Sequence, residues 1–90
     1  MTDQKPNDPV AIALSALAAT LVDDRRAQRF LALTGIGTDE LRRRANDPSL
    51  LSAVIGFLEA HEPDLIAVAE VVGVEPMALS QARRELEDNE

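Results

Sequence analysis

The most chemically suggestive cluster in the chain is His61-Glu62-Pro63-Asp64, an imidazole beside two carboxylates. Such a set could bind a cation or move a proton, but a tight metal site needs three or four converging ligands. His61 is the only histidine and there is no cysteine, which excludes thiolate zinc sites, thiol nucleophiles and a disulfide framework. Glu59 and Glu62 are spaced for one helix face, yet they fall on what reads as a wet helix end. There is no HExxH and no Gly-rich phosphate loop, and Gly35-Ile36-Gly37 lacks both a preceding strand and a third glycine. His61 reads instead as a helix C-terminal residue, where the dipole favours a cation. No catalytic residue, cofactor or metal is expected, and the chain reads as a non-enzyme.

Two other groups suggest recognition rather than catalysis. Arg25 and Arg29 are four residues apart, facing away from the Ala27, Phe30, Leu31 and Thr34 side of their helix, and Arg43 is expected to be exposed on the next. Guanidinium groups suit bidentate carboxylate contacts, so this is a candidate surface for an acidic protein partner or a second copy of the chain. The same arginines could equally be paired with Asp23, Asp39, Glu40 or the acidic second half. The other group surrounds Gly73. Ala69, Gly73, Val74 and Leu79 have the spacing of a helix-turn-helix, whose second helix would present Met77, Ser80, Gln81 and Arg84. Duplex binding needs Lys and Arg at the phosphates. Here Glu70, Glu75, Glu85, Glu87, Asp88 and Glu90 stand against Arg83 and Arg84, so charge argues against nucleic acid.

The elements that must position these residues are helices. Apolar residues make up 46% of the 90, charged residues 28% and aromatics 2%, so a core must be assembled from Ala, Leu, Val and Ile. Asp8-Pro9 predicts an N-cap with proline at the first helical position, and a helix from Pro9 to Val22. Asp23-Asp24 opens a second, ending at Thr34 against Gly35. Thr38 is expected to cap a short third helix, Asp39 to about Ala45. Asp47-Pro48 starts a fourth, to about Ala60; Pro63 opens a fifth, stopped by Gly73; Pro76 opens a sixth, fading near Glu87. No stretch alternates as a strand. The expectation is all-α, a bundle of five or six short helices over residues 8–87, with a disordered arm at 1–7 and a frayed acidic tail at 88–90.

The helix order repeats. Asp8-Pro9 recurs as Asp47-Pro48, Gly35-Ile36 as Gly73-Val74, and Leu41 as Leu79. The chain thus reads as two degenerate three-helix units with glycine corners, by duplication or by shared punctuation. In the first helix Val10, Leu14, Leu17 and Leu21 form a large stripe and Ala11, Ser15 and Ala18 a small one. In the fourth, Leu50, Val54, Phe57 and Leu58 are large and Ser49, Ala53, Gly56 and Ala60 small. Bulk against small implies that these two helices are central and touch, although the first could instead dimerise through an exposed face. The expected core is Leu14, Leu17, Leu21, Phe30, Leu41, Val54, Phe57, Leu58, Leu65, Val68, Val72 and Leu79.

Net charge is −7, distributed as +1 over residues 1–46 and −8 over 47–90. The opening Met1–Pro6 lacks a signal's basic flank, and the uncharged run Val10–Val22 falls short of the ~20 residues that cross a bilayer. A cytoplasmic protein is expected. The string Arg29-Phe30-Leu31-Ala32-Leu33-Thr34-Gly35-Ile36-Gly37-Thr38-Asp39-Glu40-Leu41-Arg42, followed by Asp47-Pro48, Phe57-Leu58 and Gly73, resembles a family of short bacterial, mainly alphaproteobacterial, proteins. That family is the domain-of-unknown-function family 3572, and the resemblance spans roughly residues 8–86. It implies a compact all-helical cytoplasmic protein and carries over no functional residue. A protein–protein interaction module is the preferred function, with a nucleic-acid-binding regulator working through the Gly73 corner as the alternative.

Overall fold

Helix boundaries follow local chemistry closely. In the computed structural model, which describes residues 8–88, six helices run in order: α1 Pro9–Val22, α2 Asp24–Thr34, α3 Thr38–Arg43, α4 Pro48–Glu59, α5 Glu62–Val72 and α6 Pro76–Asp88. The expected arm at 1–7 and the last two residues of the expected tail lie outside the described residues; Asp88 closes α6. Asp8, Asp23 and Asp47 each cap the helix that follows, accepting from the backbone N–H of Val10, Arg26 and Ser49. Gly35 and Gly73 end α2 and α5 in the left-handed region, at φ 71° and 88°. At Gly73 both its own N–H and that of Val74 donate to Ala69 O, the paired closure that a left-handed residue permits.

α3 ends at Arg43 rather than near Ala45, α5 starts at Glu62 rather than Pro63, and two caps differ from expectation. Thr38 is the first residue of α3, and Gly37 occupies the cap without a side-chain bond. His61 does not end a helix. It follows the end of α4 and occupies the N-cap position of α5, exposed and without a side-chain cap bond, with Pro63 in the first turn of that helix.

The principal core joins four helices. Ile12, Ala13, Ala16 and Ala19 of α1 pack with Leu51, Ile55 and Leu58 of α4, Val68 and Ala69 of α5, and Leu79, Ala82 and Leu86 of α6. A smaller cluster holds Leu17, Phe30, Leu41, Leu50 and Val54, so α2 and α3 dock through one fully buried residue and one nearly so, Phe30 and Leu41. Phe57 packs against both clusters and meets Phe30 edge-on, centroids 5.4 Å apart.

α1 and α4 are central and touch, as their composition implies. The buried face of α1 is not the expected one. Of its large stripe only Leu17 is buried; Leu14 and Leu21 are half-buried at the margins, and the face against the bundle is Ile12, Ala13, Ala16, Ala19 and Thr20. Alanine faces the bundle because α1 meets α2, α4, α5 and α6 at once, and small side chains let several helices approach closely. Phe57, Leu65 and Val72 of the expected core are likewise half-buried. The halves share the order long helix, second helix, glycine corner, third helix. They are unequal in that order's last member: α3 has 6 residues and one buried side chain, α6 has 13 and three.

Candidate interaction surface

Of the three arginines proposed for a partner surface, one is already engaged. Arg29 donates to Asp64 Oδ2 and lies over the Phe57 ring, 5.6 Å from its centroid. Arg26 Nε donates to Asp64 Oδ1 at 3.1 Å. Asp64 is buried, and two guanidinium groups satisfy its carboxylate. The ordinary fate of surface arginines, pairing with the acidic second half, therefore accounts for Arg29 and for its neighbour Arg26. Arg25 and Arg43 are exposed and make no ion pair among the described residues. The signal for Asp64 was its place four residues before Val68 on the apolar side of α5, where a charge must be paired.

Other charged groups are tied locally. Arg44 bridges Glu40 and Asp47 at 3.2 and 3.0 Å, and those hydrogen bonds, that to Asp47 foremost, raise its pKa. The Asp47 carboxyl is held below its ordinary value, first by the N–H of Ser49 and then by Arg44. Asp23 is lowered likewise, chiefly by the N–H of Arg26. Arg42 and Asp39, both more than four-fifths exposed, sit 3.7 Å apart and contribute little.

At the Gly73 corner, α5 and α6 meet at 94°, the angular range of a helix-turn-helix. Met77, Gln81 and Arg84 face outward, as that reading requires, with Ser80 half-buried. The charge around them is wrong for phosphate. Glu70, Glu75 and Glu87 are exposed, and Arg83 is held by Glu59 and Glu87, which raises its pKa, Glu59 foremost. Glu59 is thus an ion-pair partner of Arg83, not half of an acid–base pair with Glu62. Among the described residues no three His, Asp or Glu side chains gather as a cation site.

A feature that sequence spacing did not single out lies between α1 and α5. Ser15, Ala18, Ala19 and Val22 of α1, with Val71 and Val72 of α5, line a shallow open groove of about 320 Å³. Val22 is 82% exposed and Val71 73%. The clue was present in the small stripe Ala11, Ser15, Ala18. A helix with no charge anywhere along it leaves its outer face mostly apolar, with Ser15 the exposed polar side chain there.

The family described as "Protein of unknown function (DUF3572)" matches residues 6–89. The chain belongs to that family. No curated protein and no solved structure matches it. The DUF3572 match takes in all six helices, both glycine corners, the Asp64 ion pair and the groove. Among the described residues of this DUF3572 chain, no single helix is long and apolar enough to cross a membrane.

Proposed function

We propose that the chain is a small, non-enzymatic, cytoplasmic protein–protein interaction module. The observation that supports this most is the outer face of α1. Over 14 residues the helix carries no charge, and Ser15, Ala18 and Val22 are exposed beside the equally exposed Val71. Isolated exposed apolar residues are ordinary, whereas Val22 and Val71 lie together on one uncharged groove, which supports a contact site there. The non-enzymatic part rests on the lack of a nucleophile–base pair or ligand set in the sequence. An acidic partner at Arg25, Arg29 and Arg43 has less support than the sequence alone offered, because Arg29 is occupied by Asp64.

The test is cross-linking of the intact chain in extract of its native cell, comparing the wild type with a Val22→Asp/Val71→Asp variant. Both positions are exposed, so the variant should melt like the wild type. Partners recovered by the wild type and lost by the variant are the expected result. Identical recovery by both would remove the groove from the reading.

The alternative, a nucleic-acid-binding regulator, is favoured only by the 94° corner and opposed by its acidic surround. A gel shift with duplex DNA at low salt, lost on Gln81→Ala or Arg84→Ala and fading steeply as salt rises, would establish it instead.

A further inference from the structure

We infer that the α1–α5 groove receives an apolar helical segment of another protein whose flanks are basic. This rests on the interaction-module reading and adds the chemistry of the partner. The six lining residues are uncharged, and Ser15, Ala18 and Ala19 on the α1 wall are small. A helix can therefore approach closely, seating its own side chains between Val22 and Val71 as a ridge enters a groove.

Charge decides what flanks that segment. Val22 and Val72, both lining residues, are the last residues of α1 and α5, so two helix C-termini converge there. Neither helix has a basic residue in its last turn, which leaves the negative ends of both dipoles without a cation of their own. Acidic residues outnumber basic ones among the exposed ionisable residues nearest along the chain, Arg25, three residues past Val22, being the one cation. Asp23 and Asp24 follow Val22, Glu70 precedes Val71, and Glu75 follows the Gly73 corner. Asp23 is used in capping α2 and stands 4.0 Å from Arg26, but Asp24, Glu70 and Glu75 enter no salt bridge among the described residues. The lining is uncharged and mostly apolar, and Asp23, Asp24, Glu70 and Glu75 outnumber Arg25 around it, so the matching surface is apolar with a positive rim. A second copy of the chain fits less well, since each copy brings a net charge of −7. Nucleic acid and anionic membranes are repelled for the same reason.

The experiment uses the full chain as bait for a display library of helical peptides. Each has one Ala/Val/Leu face and flanks randomised among Lys, Arg, Glu, Asp and Ser. The expected result is enrichment of Lys and Arg flanks. Selected peptides should lose about tenfold or more in affinity for Val22→Asp/Val71→Asp, with weaker binding as salt rises. Enrichment of acidic or neutral flanks that still depends on Val22 and Val71 overturns the basic partner while leaving the module reading in place. Binding that the double variant does not weaken overturns the proposal and removes the groove from the module reading. Light scattering on the bait adds the remaining outcome: a dimer abolished by the double variant would assign the groove to a second copy and overturn the proposal.

Discussion

Arg26 Nε and Asp64 Oδ1 meet at 3.1 Å across 38 residues of sequence, joining α2 to the first turn of α5. Arg29 closes on the other carboxylate oxygen. The side chains of Asp64 and Arg26 are only 9% and 15% exposed, so water replaces little of what either loses when the contact is broken. The pair ties the smaller cluster, where α2 and α3 dock, to the four-helix core.

Asp64→Ala should therefore cost about 1.5–3 kcal/mol, the loss of charge-assisted bonds to two guanidinium groups, with Arg26 keeping Asp23 at 4.0 Å. Against a total of about 5–10 kcal/mol for a domain of this size, that is a large fraction of the stability. Urea denaturation measures it. A cycle with Arg26→Ala should be strongly non-additive, and additive losses would mean that the contact carries no coupling.

Hydrogen exchange should divide the molecule unevenly. In α2 and α3 only Phe30 and Leu41 are buried, whereas α4 buries six residues. Amides of α2 and α3 are expected to exchange through local opening, well ahead of those in α4. Phe30→Ala, at about 3–5 kcal/mol, should widen the difference. Uniform protection across all helices would contradict this division.

The glycines should respond with opposite signs. A Cβ at Gly35, Gly73 or Gly56 meets no atom within 4 Å, so only backbone conformation distinguishes them. Alanine at Gly35 or Gly73, both at positive φ, should destabilise by about 1–2 kcal/mol. Gly56→Ala, inside α4, should stabilise by about 0.5–1 kcal/mol. Thermal melts of the three single variants decide the matter.

Acid should weaken the fold through its caps. Asp23 and Asp47 are held below their ordinary value of 3.8, first by the backbone N–H groups they cap. A carboxyl whose pKa is lowered on folding contributes stability that is complete above its unfolded pKa. That contribution is lost as pH falls through the folded one. Melting temperature should hold steady from neutral pH and drop below about pH 4. Asp47→Asn keeps a capping oxygen but not the charge, and its acid limb should be shallower.

Much of this architecture was legible because punctuation is local. Asp-Pro caps and stop glycines act within a few residues, and the ends of α1, α2 and α5 fall where those residues place them. The buried face of α1 was not, because it depends on how many neighbours a helix has, which no stripe within the helix reveals. Leu14 and Ala13 are adjacent, yet the alanine is fully buried and the leucine is not. The same limit applies to the surface. Arg29 and Arg25 look alike in sequence, and only the long-range placement of Asp64 separates an anchored arginine from one facing solvent.

The contact between α1 and α6 joins the first helix to the last. A ribosome emits residues in order, so Ile12, Ala13 and Ala16 leave it long before Leu79, Ala82 and Leu86 exist to cover them. A nascent chain halted anywhere before Pro76 presents an uncharged helix with one side of its enclosure missing. Closure of the core must then wait for α6 to emerge, and a copy halted before it displays an apolar surface of the kind that chaperones and proteases engage.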